Sequence, residues 1–174
     1  RLVAAQYGIP DQAVYDYAGF DRIAEDPRVQ VVYVVLPNGL HREFVMRAAK
    51  AGKHVMCEKP MANNSAEARD MVAACDQAGV KLMVAYRCQY EPYNRETIQR
   101  VRSGDMGAAR FIEATNTQVM GPGDQWRFSK ALAGGGALPD IGLYCLNTAR
   151  AITGEEPIEV FARIFNPEGD PRYR

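Results

Sequence analysis

Apolar positions along this chain come in short runs that alternate with stretches of helical spacing. Val29 to Leu36 is nearly continuous and rich in β-branched residues, the pattern of a strand buried on both faces. It stops at Pro37-Asn38-Gly39, and a helix is predicted from His41 to Ala51, ended by Gly52. His54 to Cys57 reads as a second strand, stopped by Glu58-Lys59-Pro60. Ser65 is a good N-cap for a helix through Gln77, with Ala68, Met71, Val72 and Cys75 at helical spacing and Gly79 as the stop. Lys81 to Tyr86 is the third strand. Upstream, Arg1 to Gly8 resembles the tail of a helix closed by a glycine. Ile9 to Asp11 is a loop, Val14 to Tyr17 a short strand, and Phe20 to Glu25 a short helical stretch closed by Asp26-Pro27.

Strands separated by helices predict a parallel sheet with right-handed crossovers. Ligands of such sheets collect outside the carboxyl ends of the strands. Pro37-Asn38, Glu58-Lys59 and Tyr86-Arg87 all fall at those ends.

The pattern changes after Arg87. A helix is predicted from Glu91 to Ser103, ended by Gly104, and Arg110 to Thr117 alternates like an antiparallel strand. A loop through Gly121-Pro122-Gly123 leads to Gln125-Trp126-Arg127-Phe128. Gly134-Gly135-Gly136 then opens a helix that carries Asp140 and Tyr144 and runs to about Ile152, and Ile158 to Phe165 is another strand. This divides the chain into residues 1–87 and 88–174, the second with a larger sheet only partly present.

Composition narrows the classes. Lysine plus arginine balance aspartate plus glutamate at 21 each, so nothing suggests nucleic acid or an anionic membrane surface as a partner. No apolar run approaches the roughly 20 residues that span a bilayer. Four cysteines form no CxxC pair and only His41 and His54 accompany them, which argues against a metal site and for reduced core thiols. The chain has no initiator methionine and no natural finish after Tyr173-Arg174, so it reads as an internal fragment. The compartment, cytoplasmic or bacterial periplasmic, is not readable from it.

Asp140 and Tyr144 are four apart, which stacks them on one helical face. An acid and a phenol there suit proton transfer; a helix-terminal acid beside an interfacial tyrosine is an equal reading. Lys59, held before Pro60 at a strand end, is either an exposed lysine or a cation that hydrogen-bonds a substrate hydroxyl and favours ionisation of a neighbouring acid. His41 reads as a ligand contact or a helix-start residue. Trp126-Arg127 offers a flat surface and a bidentate anion donor, or simply a core tryptophan. No GxGxxG or Walker motif is present, so these residues alone assign no phosphate site.

Together, Val34 to His41, Gly52 to Met61 and Gly134 to Tyr144 resemble the Gfo/Idh/MocA oxidoreductases. Tyr86 to Pro92, Gln125-Trp126-Arg127 and Asp140 to Asn147 look closest to the glucose–fructose oxidoreductase branch. The resemblance implies an α/β fold: a truncated Rossmann-type parallel sheet, then the start of a C-terminal α/β domain with a mainly antiparallel open sheet. It implies a nicotinamide cofactor, NADP or NAD with NADP favoured, a sugar substrate such as an aldose, and a homo-oligomer built through the C-terminal sheet. Lys59, Asp140 and Tyr144 would be catalytic: Tyr144 takes a hydroxyl proton, Lys59 assists, and Asp140 positions the sugar. Leu36, Pro37, Asn38, His41, Glu58, Lys59, Arg87, Trp126 and Arg127 would line the cofactor. Many family members carry histidine where this chain has Tyr144, which argues against the inositol dehydrogenase branch. A noncatalytic dinucleotide-binding or sensor protein on the same fold is the alternative.

Overall fold

The computed structural model describes residues 2–121 and 124–163. The chain opens on α1 (Leu2–Gln6), closed by Gly8 with φ +63°. Two 3-10 turns, Asp11–Ala13 and Phe20–Glu25, lead to the sheet. The segment Val14 to Tyr17 is not a strand; its tyrosines make side-chain contacts instead, Tyr15 donating to Asp26 Oδ2 at 3.2 Å and Tyr17 meeting the Phe44 ring edge-on at 5.5 Å.

Three parallel strands follow in spatial order β1 (Val31–Val34), β2 (His54–Cys57) and β3 (Leu82–Val84). Val34 stands opposite Cys57, and Cys57 opposite Val84. Their carboxyl ends therefore finish at one level, where Leu36, Glu58 and Tyr86 emerge. The crossovers are α2 (His41–Lys50) and α3 (Ser65–Gln77). Their apolar faces bury Phe44, Val45, Ala48, Ala49, Met71 and Cys75 against Val34, Val55 and Cys57. Of these, Phe44, Val45, Met71, Val34 and Val55 each contribute ~1.5–3 kcal/mol when taken fully out of water.

The expected two-faced burial of β1 is not observed. Val34 is buried, while Val31, Tyr33 and Val35 are exposed by 57, 47 and 61%. The reason is layering: α2 and α3 both lie against one face, and among the described residues no helix covers the other. Asn64, not Ser65, caps α3; its side chain accepts from the N–H groups of Ala66 and Glu67 at 3.0 Å each.

After β3 come α4 (Pro92–Ser103), capped by Glu91 and stopped by Gly104, then α5 (Lys130–Ala133) and α6 (Leu143–Thr153). α4 and α6 pack together. A π-helical turn, Leu138–Gly142, precedes α6 where a regular helix start was expected. Pro139 sits in its first turn, where a missing N–H costs no ladder bond. Arg110 to Thr117 and the described part of the Ile158 strand, to Arg163, form no ladder. Phe111, Ile158 and Phe161 are almost wholly exposed; a strand exists only with a partner to bond. Ile164 and Phe165, like Pro122 and Gly123 of the expected loop, lie outside the described residues.

Candidate active site

Lys59 leaves the end of β2, and Asp140 sits on the π-turn before α6. They meet across 81 residues of sequence. Lys59 Nζ donates to Asp140 Oδ1 at 2.9 Å and to the Asp140 carbonyl oxygen at 2.6 Å. Arg127 Nε donates to the other carboxylate oxygen at 2.9 Å. Lys59 and Asp140 side chains are each 17% exposed, so the pair is largely shielded from solvent. Burial by itself pushes the Asp140 carboxyl up, but the hydrogen bonds from Lys59 and Arg127 outweigh it and hold the group below the usual carboxylate range.

Tyr144 joins this centre through its ring. Lys59 Nζ lies 5.1 Å from the ring centroid, within cation–π reach. Tyr86, just past β3, stacks on Tyr144 with centroids 5.3 Å apart and planes at 27°. Burial raises the Tyr86 phenol above its ordinary value. Sequence reasoning expected the ammonium to act on the phenol; in the structure its hydrogen bonds go to Asp140 and its contact with Tyr144 is to the ring face. A cavity of about 800 Å³ opens beside these residues, lined by Lys59, Tyr86, Gln89, Asn94, Asn147 and Thr148 among others.

The other residues expected to line the cofactor have the following surroundings. Arg127, stacked 4.4 Å over Trp126, reaches Asp140. Glu58 folds back over the open sheet face, accepting from Tyr33 Oη at 2.5 Å and from the Lys59 backbone N–H at 3.1 Å. The Glu58 contact, more than desolvation, raises the Tyr33 phenol. Leu36 packs on the core and Pro37 precedes a 3-10 turn, Asn38–Leu40. Asn38 is 3% exposed and donates through Nδ2 to the Ala133 carbonyl at 2.9 Å. His41 is fully buried, with Nδ1 2.9 Å from the Pro60 carbonyl oxygen and Nε2 2.8 Å from that of Leu36. Arg87 is exposed at the start of the turn Arg87–Tyr90.

Gly134, with φ +73°, closes α5 in the left-handed region, and a Cβ there would overlap the side chain of Asn63. The glycine run thus lets the approach to Asp140 lie directly on the segment that follows Lys59. Among the described residues no group of three or more His, Cys, Asp or Glu side chains forms a metal centre, and no helix is long and apolar enough to cross a membrane.

Two family models match the chain in tandem. The oxidoreductase family with an NAD-binding Rossmann fold, Gfo/Idh/MocA, matches residues 1–86, and the Gfo/Idh/MocA C-terminal domain matches residues 94–172. The chain belongs to the Gfo/Idh/MocA oxidoreductase family.

Within this family, an NADP-dependent D-xylose 1-dehydrogenase of Haloarcula marismortui is 36% identical over 162 residues, 91% of this chain and 45% of that protein. The aldose–aldose oxidoreductase of Caulobacter crescentus, solved with glycerol, is 51% identical. It superposes with a TM-score of 0.82 over 90% of this chain and 47% of its own. A levoglucosan dehydrogenase solved with NADH and levoglucosan is 29% identical, with a TM-score of 0.69 over 88% and 42%. The chain spans about half the length of the curated relatives it matches.

The donor set suits the reactive end of a nicotinamide cofactor: a cation, a paired acid and aromatic faces at the carboxyl ends of a parallel sheet. The sequence holds no GxGxxG turn, so pyrophosphate contacts are not assigned to these residues. Tyr86 is legible in the sequence as a strand-end residue, but not as part of the site. Its signal was an aromatic residue at the same level as Lys59. Nothing local signalled the bond from Asn38 to Ala133, which spans 95 residues.

Proposed function

We propose that this chain supplies the catalytic centre of a longer NAD(P)-dependent oxidoreductase acting on a sugar, an aldose being the best fit. The observation that carries this reading is the Lys59–Asp140 pair with Tyr144 against it, assembled from the two parts of the chain, with Lys59 also lining the adjoining cavity. Residues 1–87 form the cofactor part and 88–174 the start of the substrate part, whose sheet also serves subunit assembly.

The cofactor supplies a hydride acceptor, and NADP is the preferred form. Leu36, Pro37, Glu58 and Lys59 at the strand ends lie beside its reactive ring, with Trp126 and Arg127 closing from the second part. Tyr144 takes the proton of the sugar's C1 hydroxyl. Lys59 uses two of its three N–H bonds on Asp140 and keeps one for that hydroxyl. Asp140, ionised by its two cationic partners, fixes both of them, which orients donors toward a sugar without itself needing to move a proton.

The test is aldose-dependent reduction of NADP and NAD by the purified longer protein across a panel of aldoses and polyols. Turnover of an aldose, lost about 100-fold or more in Tyr144→Phe, is the expected result. Tight cofactor binding with no turnover of any sugar would favour a sensor protein on the same fold.

A further inference from the structure

Two buried polar side chains of the segment after β1 make contacts that the proposed chemistry does not use. Asn38 reaches forward to the Ala133 carbonyl at the end of α5, immediately before the glycines that lead to Asp140. His41 reaches sideways to the Pro60 carbonyl, one residue beyond Lys59. Its other nitrogen faces Leu36, so the ring is spanned between two backbone carbonyls and is 0% exposed. Between the two side chains, Gly39 lies so near α5 that a Cβ would overlap the Ala131 carbonyl oxygen and come within 3.2 Å of Leu132 Cα. One short segment therefore holds the peptide beside Lys59 with one side chain and the approach to Asp140 with another.

We propose that Pro37 to His41 is a positioning bracket: Asn38, through Ala133, and His41, through Pro60, set the Lys59 ammonium and the Asp140 carboxylate in register. The inference rests on the proposed function for its kinetic consequence and on geometry alone for its structural one. Both side chains were expected to line the cofactor. Asn38 Nδ2 and the two His41 ring nitrogens face backbone carbonyls inside the protein, and an unmet buried donor or acceptor is costly. The bracket acts on catalysis because hydride and proton transfer need near-contact alignment, where a displacement of about 1 Å costs of the order of 100-fold.

The experiment uses Asn38→Asp, which replaces the amide donor with an acceptor of the same shape, and His41→Ala, with His41→Gln as a conservative variant that retains an amide donor. Cys75→Ala, in the buried face of α3, controls for general loss of stability. Two readouts are taken in the longer protein: competitive acetylation of Lys59 by mass spectrometry, and kcat beside the Kd for NADPH. Lys59 is shielded in its pair with Asp140, so its acetylation should rise about threefold or more in Asn38→Asp and His41→Ala but not in Cys75→Ala. The same variants should lose about tenfold or more in kcat while the Kd for NADPH stays within about threefold, and His41→Gln should recover part of both losses. Unchanged Lys59 acetylation in the folded variants would overturn the bracket whether or not a sugar is turned over. A weakened Kd for NADPH with kcat kept would also overturn it, because that is the signature of direct cofactor contact. If no sugar is oxidised by the wild type, the functional reading fails and the acetylation result still decides the bracket.

Discussion

Asp140 is ionised because two cations share it, and that has a pH consequence. Burial opposes ionisation, yet the hydrogen bonds from Lys59 and Arg127 win and leave the folded-state value below the unfolded one. A group with a depressed folded value contributes stability above its unfolded pKa, about 3.9 for aspartate, and loses it as pH falls through the folded value. The thermal midpoint of the wild type should therefore exceed that of Asp140→Asn at neutral pH, and the gap should close only below about pH 4. A gap already closing between pH 6 and 7 would show that the carboxylate is not so held. Cys57 gives a second residue-scale prediction. Burial first, with the charge of Glu58 adding, pushes its thiol up to about 12. At pH 8 it should stay inert to a thiol reagent until the chain unfolds, while partly exposed Cys88 reacts in the folded protein. Lys59, Asp140 and Tyr144 were readable as candidates from a strand end and a four-residue spacing. What they touch was not, because a pairing over 81 residues leaves no periodic trace.

At the scale of elements, the three strands and the helices α2, α3 and α4 follow from apolar runs punctuated by glycine. Gly52, Gly79 and Gly104 do stand in the left-handed region just past those helices. The cap of α3 shows the limit of such reading. Asn63-Asn64-Ser65 offers three capping residues in a row, and the extended backbone at Asn64 (φ −155°, ψ 169°) selects it. Asn64→Ala should cost ~1 kcal/mol of stability in chemical unfolding, whereas Ser65→Ala should cost only a few tenths. Equal losses would return the cap to Ser65. The π-turn at Leu138–Gly142 was not legible, since its wider winding depends on contacts rather than on a residue pattern. Arg110 to Thr117 shows the converse: alternation marks a segment able to form a strand, and only a bonded neighbour makes it one.

Across the whole molecule, the described sheet is covered on one face and bare on the other. Val31, Tyr33, Val35 and Met83 place apolar surface in solvent there. The 174-residue chain should consequently self-associate or bind a hydrophobic dye more strongly than a compact monomer of its size. With no glycine-rich phosphate turn in its sequence, it should also bind NADPH only weakly on its own. A calorimetric Kd below about 1 μM would contradict that, because phosphate contacts supply much of dinucleotide affinity.

In the proposed chemistry Lys59 donates to the hydroxyl whose proton Tyr144 takes, and the rest of the site is arranged around that ammonium. This role is tested most directly by kcat for aldose oxidation in the longer protein carrying Lys59→Ala, measured at saturating NADP. A fall of about 100-fold or more with NADPH binding retained is expected; turnover within about threefold of wild type would remove Lys59 from the chemistry.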